Sequence, residues 1–314
     1  MKPEGVVVPI ITPVNEHGQV DREGLRRLVN HLIKGGIRGI FPAGTTGEFA
    51  RLADASRHEL FRLTTEYCQG RAQVYAGVSD TSLDAVVGHI RSAEKSGVDA
   101  CVISLPYYYS LSPEEAKRWF TAVIEATDLP VVLYNIPGNV GQIIPPDVIG
   151  ALGARVAGMK DSGGDPTLMK EYLQALGGDG RIASFLAGSE EVINEAVSLG
   201  AEGVVPSMAN VFPRLWSALW AFRHDKTIFP RMVDMVNQIN QLNTCAKLPL
   251  CSVLWKKRLL ALEGICCENA IFPSSLLEPR FDGLLRQTAN KVDTFLRSLD
   301  EEMGMEDVTG IALP

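Results

Sequence analysis

The chain has 314 residues, of which 46% are hydrophobic, enough to bury the core of one large domain. Its net charge of −7 comes from interspersed charges of both signs, and no basic cluster carries interleaved aromatic residues, which argues against a nucleic-acid-binding protein. The short basic run Lys256-Lys257-Arg258 indicates a solvated helix face. No apolar stretch approaches the length of a membrane span, and the first residues lack a signal-peptide layout. We therefore expect a cytoplasmic protein that binds neither nucleic acid nor membrane.

The cysteines and histidines lack the spacing of disulfide frameworks or metal sites. The six cysteines include no C-x-x-C pair, and the five histidines include no H-E-x-x-H motif. The chain also contains neither of the two glycine-rich phosphate motifs, G-x-G-x-x-G and G-x-x-x-x-G-K-[ST]. We therefore expect free thiols in a reducing compartment, no metal and no nucleotide cofactor.

Short apolar runs alternate with longer amphipathic segments through the first two thirds of the chain. The runs that predict strands are residues 6–11, 39–42, 74–76, 100–104, 131–134, 156–160, 184–187 and 203–206. The segments that predict helices between them include residues 21–34, 53–68, 82–96, 113–126, 166–176 and 190–199. Ser82, Ser112 before Pro113, and Asp165 before Pro166 are typical N-cap residues.

A sequence pattern that recurs three times supports one class of fold. Residues 34–40, 95–101 and 198–204 each end a helix at a glycine, turn, and begin an apolar strand. Eight such strand–helix units predict an α/β protein with a (β/α)8 TIM barrel, since a doubly wound sheet usually has fewer strands and a glycine-rich phosphate loop.

The strand alternation stops near residue 224. Residues 229–242, 253–263 and 279–299 read as helices, which we expect to pack on the barrel as a C-terminal extension. Residues 300–314 are acidic and then contain glycine, which predicts a loosely held tail. The predicted organisation is a barrel at 1–224, helices at 225–299 and a tail at 300–314.

Lys160 ends the sixth predicted strand, after the apolar run 156–159. Active residues of such barrels project from the C-terminal ends of the strands and the loops that follow. Burial there disfavours the ammonium, lowers the pKa of a lysine and makes its neutral amine available to attack a carbonyl. On this segment alone, a strand-end lysine that reaches water remains an open alternative.

Three other predicted strands end in polar or aromatic residues. Residues 44–48, Gly-Thr-Thr-Gly-Glu, offer hydroxyls and backbone amides that suit a carboxylate, although an ordinary tight turn has the same composition. Residues 107–109 are three tyrosines, which also fit a core or interface patch. Tyr134 places a phenol beside Lys160, where it can shuttle protons. Together these groups predict condensation of a 2-oxo acid with Lys160, followed by making or breaking of a carbon–carbon bond through an enamine.

In order and spacing, four motifs resemble those of the dihydrodipicolinate synthase / N-acetylneuraminate lyase family of class I, pyruvate-handling aldolases. The resemblance runs from about residue 3 to residue 298. Its motifs are Gly44-Thr45-Thr46-Gly47-Glu48, Pro106-Tyr107-Tyr108, Tyr134-Asn135-x-Pro137 and Gly158-x-Lys160. It implies a barrel with extra C-terminal helices, usually in a homotetramer.

The resemblance also implies roles for individual residues. Lys160 would form the Schiff base and Tyr134 would shuttle protons. A hydroxyl relay would include Thr45 and Tyr108, with Tyr108 often contributed across a subunit contact. The pyruvyl carboxylate would be held by Thr46 and by turn amides, including those of Gly44 and Gly47, beside the apolar Val205.

The branch of the family stays open. Synthases usually carry an arginine two residues after the proline of the Tyr-Asn-x-Pro motif, where this chain has Asn139, which cannot make the same charged contact. Residues 158–165 look more like those of aldolases for hydroxy-oxo acids and 2-keto-3-deoxy sugar acids. Gly188, Glu190 and Glu191 stand where sialic acid lyases bind sugar hydroxyls, although acidic residues are also favoured in the first turn of any helix.

Three functions follow from these observations. The first is a metal-independent aldolase or lyase that handles pyruvate and an aldehyde, on a 2-keto-3-deoxy sugar acid or hydroxy-oxo acid. The second is a related enzyme that shares the Schiff base, either dihydrodipicolinate synthase, using aspartate semialdehyde, or a keto-deoxy sugar acid dehydratase. The third, from another class, is a catalytically silent pyruvate-binding protein.

Overall fold

The computed structural model describes residues 2–177, 183–248 and 250–304. Eight parallel strands follow one another around a closed barrel, and β1 completes the ring by pairing with β8. The strands are β1 (Gly5–Pro9), β2 (Gly39–Phe41), β3 (Gln73–Gly77), β4 (Ala100–Ser104), β5 (Val131–Asn135), β6 (Val156–Asp161), β7 (Ser184–Ala187) and β8 (Gly203–Val204). The predicted (β/α)8 barrel is confirmed.

Helices follow the strands around the outside of the barrel. They are α1 (Arg22–Lys34), α2 (Asp54–Cys68), α3 (Leu83–Ser96), α4 (Pro113–Glu125), α5 (Pro137–Val140), α6 (Pro146–Leu152), α7 (Pro166–Gly177), α8 (Ile193–Ser198) and α9 (Pro213–Ala221). Two predicted caps form as expected: the Ser82 side chain accepts from the backbone of α3, and Ser112 forms a reciprocal capping box with Glu115. Asp165 accepts hydrogen bonds from the backbone N–H groups of Thr167 and Leu168 at the start of α7.

Three helices were absent from the sequence-based assignment. The short helices α5 and α6 lie between β5 and β6, and α9 follows β8. Each begins with a proline at its first turn, a position that needs no backbone N–H, and α5 is only four residues long. A run this short carries too little periodicity to be recognised. The helix predicted at 190–199 is likewise shorter, because a 3-10 turn at Glu190–Val192 precedes α8.

The C-terminal segment is helical as predicted, with α10 (Ile228–Asn240), α11 (Cys251–Leu262) and α12 (Asp282–Met303). Helix α12 continues four residues past the predicted start of the tail, because Leu299 and Asp300 are buried against the rest of the protein. Residues 305–314, the remainder of the predicted tail, lie outside the described residues. Among the described helices, none combines the length and apolar character needed to cross a bilayer.

Alternation along the strands separates two apolar cores. Side chains pointing outward pack against the surrounding helices in one large cluster. Those pointing inward form a smaller cluster of Val7, Phe41, Tyr75, Ala100, Val102, Val132, Tyr134, Leu186 and Val205. The inner cluster fills the barrel, so a polar group at its C-terminal end rests on an apolar floor.

Candidate active site

Lys160 and Tyr134 are directly opposite each other on neighbouring strands. Their Cα atoms are register partners in the β5–β6 pair, so both side chains point to the same side of the sheet. Both residues are buried, and the Lys160 Nζ lies 4.1 Å from the centroid of the Tyr134 ring and 5.1 Å from that of Phe41. Among the described residues, no carboxylate forms an ion pair with Lys160. The Lys160 amine therefore lies against two aromatic rings.

The hydroxyl of Tyr134 contacts a second hydroxyl, that of Thr45. Its oxygen lies 3.2 Å from Thr45 Oγ1, and either atom can be the donor. Thr45 belongs to the turn after β2, 89 residues earlier in the chain. The structure therefore brings the predicted residues Lys160, Tyr134 and Thr45 together.

Glycines allow the loops around these side chains to approach closely. A Cβ atom at Gly47 would lie 2.9 Å from the carbonyl oxygen of Ile10, and the Gly47 carbonyl accepts a hydrogen bond of 2.7 Å from Thr12 Oγ1. At Gly188 a Cβ atom would lie 2.8 Å from Lys160 Cε. The backbone of Gly188 thus packs directly against the Lys160 side chain. The sequence did not predict this contact.

The carboxylate of Glu48 is paired beneath the turn. Its Oε1 lies 2.6 Å from Nζ of Lys257 on α11, and both side chains are fully buried. Lys257 also donates a hydrogen bond of 3.1 Å to the Asn269 carbonyl. Sequence reasoning treated residues 256–258 as a solvated helix face. This interpretation was wrong, because Lys256 and Lys257 are both buried and the latter neutralises the acidic end of the site turn.

Asn135 and Asp161 lock the ends of the two strands that carry the amine and the phenol. Asn135 Nδ2 donates to Asp161 Oδ1 at 2.7 Å, and the Ile144 backbone N–H donates to Asn135 Oδ1 at 2.9 Å. The Gly163 N–H also donates to Asp161 Oδ1 at 3.0 Å. Burial raises the pKa of Asp161, while these hydrogen bonds oppose the shift. The Tyr134-Asn135 motif drew attention to Asn135, but nothing in the motif indicated that Asp161 is its hydrogen-bond partner.

A cavity of about 220 Å³ opens over the strand ends. Its walls are formed by Thr45, Glu48, Phe49, Ala50, Arg51, Ser104, Tyr107, Tyr134, Ile136, Asn139, Val140 and Leu250. Lys160 does not itself line this cavity, but its amine contacts the Tyr134 ring, which does. Asn139 lies on the wall, and its contact with a substrate stays a prediction. Leu250, at the start of α11, shows that the C-terminal helices contribute to the site.

Two further predicted residues, Tyr108 and Val205, do not line this cavity. Tyr108 is 79% exposed and its ring meets that of Tyr109 edge to face, whereas Tyr107 lines the cavity against Phe49. The place of Tyr108 in a hydroxyl relay across a subunit contact stays a prediction. Val205 packs in the inner cluster with Tyr134.

The two acidic residues after β7 differ. Glu190 Oε1 accepts hydrogen bonds from the Met208 backbone N–H at 2.8 Å and from Ser207 Oγ at 3.2 Å, whereas Glu191 is exposed. Neither lines the cavity, nor does Thr46, which is half-buried. Substrate contacts by these three residues stay predictions.

A buried polar network lies behind the cavity wall. The Arg57 guanidinium lies 3.2 Å from Asp80 Oδ2 and 3.0 Å from His89 Nε2, and it stacks on the Phe49 ring at 5.2 Å. Asp54, Asp80 and His89 are also the one group, among the described residues, close enough to hold a metal ion. Since Arg57 already places a cation against Asp80 and His89, the group is better described as an ion-pair network.

The fold and the site define a barrel enzyme with a buried lysine, a phenol and a hydroxyl at the C-terminal ends of its strands. The family model described as "Dihydrodipicolinate synthetase family" matches residues 2–249. The chain belongs to this family, and it is a class I aldolase or lyase by that membership.

Individual relatives agree with this assignment. The chain is 34% identical over 242 residues to the 4-hydroxy-tetrahydrodipicolinate synthase of an Anaeromyxobacter species, covering 76% of this chain and 81% of that one. The structure of the same kind of synthase from Methylacidiphilum fumariolicum has a TM-score of 0.85 at 31% identity and covers 96% of this chain and 99% of that one. Dihydrodipicolinate synthase from Acinetobacter baumannii, solved in complex with pyruvate, has a TM-score of 0.83 at 26% identity, covering 92% and 99% respectively.

Proposed function

We propose that the protein forms a Schiff base between Lys160 and the ketone of pyruvate, and makes or breaks a carbon–carbon bond at the methyl carbon. The observation that carries this proposal is the contact series from the Lys160 amine to the Tyr134 ring and from the Tyr134 hydroxyl to Thr45 Oγ1. A nucleophile, a proton carrier and a partner for that proton are the groups which this reaction needs.

The steps balance without a further reactant. The neutral amine attacks the ketone carbon, and the oxygen takes up one proton from the amine and one from Tyr134. It then leaves as water, which gives the iminium and leaves Tyr134 as a phenolate. In the cleavage direction, the hydroxyl of the substrate gives up its proton to Tyr134 as the carbon–carbon bond breaks, releasing an aldehyde and leaving the electron pair in an enamine. Protonation of the enamine carbon and hydrolysis then release pyruvate and restore Lys160.

For the substrate, we favour a 2-keto-3-deoxy sugar acid or another hydroxy-oxo acid. Asn139 supports this choice, because it lies on the cavity wall and offers amide hydrogen bonds of the kind that bind hydroxyls. Dihydrodipicolinate synthase is the second candidate, supported by the names of the similar enzymes. A keto-deoxy sugar acid dehydratase would use the same imine and differ only in losing water.

The assembly that we propose is a homotetramer, in which Tyr108 enters the site of a neighbouring subunit. The exposed pair of Tyr108 and Tyr109 supports an intersubunit contact at this loop. A catalytically silent pyruvate-binding protein is less well supported, since binding alone requires no proton carrier beside the lysine.

Borohydride reduction in the presence of pyruvate, followed by peptide mass analysis, tests the central step. We expect a reduced pyruvyl adduct on the peptide that contains Lys160. Lys160→Ala should abolish both the adduct and turnover, whereas Lys170→Ala, which removes an exposed lysine from α7, should change neither. An unmodified Lys160 in folded wild-type protein would refute the proposal.

Product analysis then identifies the branch. Release of pyruvate from a 2-keto-3-deoxy sugar acid supports the aldolase, and loss of water without pyruvate supports the dehydratase. Consumption of pyruvate only with aspartate semialdehyde supports the synthase.

A further inference from the structure

Arg51 gives the cavity a positive charge that no acidic side chain of the described residues neutralises. Of the described residues that line the cavity, only Glu48 and Arg51 carry a formal charge. Glu48 is already paired with Lys257 at 2.6 Å. The Arg51 guanidinium donates a hydrogen bond to the hydroxyl of Ser274, a neutral partner, and forms no ion pair within the part of the chain that the structure describes.

Backbone hydrogen bonds position Arg51 at the cavity. Arg51 ends the 3-10 turn Phe49–Arg51, which directly follows the turn carrying Thr45. Its backbone N–H donates to the Glu48 carbonyl at 2.9 Å, and Glu48 is held by its buried ion pair. The guanidinium donates a hydrogen bond to Ser274, so Arg51 is held both at its backbone and at the end of its side chain.

The other described residues of the wall carry no formal charge. Asn139, Val140, Ile136 and Leu250 line the cavity with neutral groups. An anionic group that enters this cavity therefore meets one cation. A guanidinium presents a planar set of N–H donors that fits two oxygens of a carboxylate or phosphate at once.

We propose that Arg51 binds an anionic group, a carboxylate or a phosphate, at the end of the substrate distant from the imine carbon. This inference rests on the proposed Schiff-base function and adds the charge of the aldehyde half. The pyruvyl carboxylate is left to the hydroxyls and amides of residues 44–47, so that Arg51 serves the second acidic group alone.

Two matched pairs of 2-oxo acids test the inference without requiring turnover. The carboxylate pair is 2-oxoheptanedioate and 2-oxoheptanoate, and the phosphate pair is 2-keto-3-deoxy-6-phosphogluconate and 2-keto-3-deoxygluconate. The concentration that gives half-maximal borohydride trapping on Lys160 is measured for each compound in wild type, Arg51→Gln, Arg51→Lys and the control Arg62→Gln. Arg62 is an exposed arginine of α2 that pairs with Glu66.

Wild type should need about tenfold less of the distally charged member in at least one pair, the scale of one charge-assisted hydrogen bond. Arg51→Gln should remove that preference, Arg51→Lys should keep part of it, and Arg62→Gln should retain all of it. The pair that shows the preference identifies the anion as carboxylate or phosphate.

Trapping of pyruvate separates the two possible failures. If wild type traps no pyruvate, the proposed function fails and this inference fails with it. If pyruvate is trapped but neither pair shows a preference, or the preference survives in Arg51→Gln, this inference alone is wrong. It is also wrong if Arg51→Gln weakens trapping of pyruvate by the same factor, since Arg51 would then bind the pyruvyl carboxylate.

Discussion

The hydroxyls of Tyr134 and Thr45 lie 3.2 Å apart although β5 and the turn after β2 are far apart in the chain. The Tyr134 ring also contacts the Lys160 amine, so this phenol connects the proposed nucleophile with the hydroxyl of Thr45. A proton taken from the substrate at Tyr134 therefore has an onward acceptor within hydrogen-bonding distance.

Removing these hydroxyls should reveal whether they act as one unit. We expect Tyr134→Phe to lower kcat by about 10²- to 10⁴-fold, the scale of general acid–base catalysis, and Thr45→Val to have a smaller effect. Because Thr45 acts through Tyr134, the double variant should be no slower than Tyr134→Phe alone. Steady-state kinetics on the three variants measure this.

Tyr75→Phe is the matched control. Tyr75 lies in the same inner cluster, but its hydroxyl donates to Gln73 at 2.6 Å, at the start of β3. Its kcat should stay near the wild-type value. Multiplicative losses in the Tyr134 and Thr45 double variant would contradict a shared proton path.

Disrupting the buried pair of Glu48 and Lys257 should cost stability. Lys257→Met leaves the Glu48 carboxylate buried without its cation, which should lower the free energy of unfolding by about 3–5 kcal/mol. Adding Glu48→Gln should recover much of that loss, because an amide needs no counter-charge. Urea unfolding of both variants measures the effect, with exposed Lys117→Met as the control. Equal losses in the single and double variants would show that the missing lysine packing, rather than the charge, is responsible.

Lys256 should make stability depend on pH. Burial lowers its pKa from 10.5 to about 8, and the charge of Glu190 only partly opposes this. Between these two values the unfolded chain binds a proton that the folded protein does not, so the free energy of unfolding rises with pH across this window. At about 1.4 kcal/mol for each pKa unit, the penalty below pH 8 is about 3 kcal/mol, and it vanishes above pH 10.5.

The comparison of wild type with Lys256→Met isolates this penalty from other titrations. The variant should gain stability relative to wild type near pH 7, offset by the loss of the hydrogen bond from Lys256 to the Ser252 carbonyl. That relative gain should shrink as the pH approaches 10. A difference between the two proteins that stays constant from pH 7 to pH 10 would contradict the assigned pKa.

Asn135→Leu should loosen the ends of β5 and β6. The substitution removes one donor to Asp161, which keeps the hydrogen bond from the Gly163 N–H, and leaves the buried Ile144 N–H without its acceptor. A buried polar group left unpaired costs about 1–3 kcal/mol, so thermal unfolding should occur at a lower temperature. Unchanged thermal stability would mean that water replaces both hydrogen bonds.

The sequence revealed the barrel because eight apolar runs, separated by amphipathic segments, repeat one local pattern. It also predicted that Lys160, Tyr134 and Thr45 lie close together, because the ends of neighbouring parallel strands meet at one edge of the sheet. These are features that local periodicity and chain order determine.

Contacts between distant segments could not be predicted in this way. Lys257 was read as exposed because its neighbours Lys256 and Arg258 are also basic, and only tertiary packing shows that it meets Glu48. The helix α11 that carries it has weak amphipathic character, since it is buried on several sides. Asp161 and Leu250 were missed for the same reason.

The Glu48–Lys257 contact has a consequence for synthesis of the protein. The cation that neutralises the site turn is encoded 209 residues after the carboxylate, beyond the last strand of the barrel. A nascent chain whose eight strands have all left the ribosome still lacks this lysine. The ion pair that neutralises the buried Glu48 carboxylate can therefore form only late in translation, after every strand of the barrel has been made.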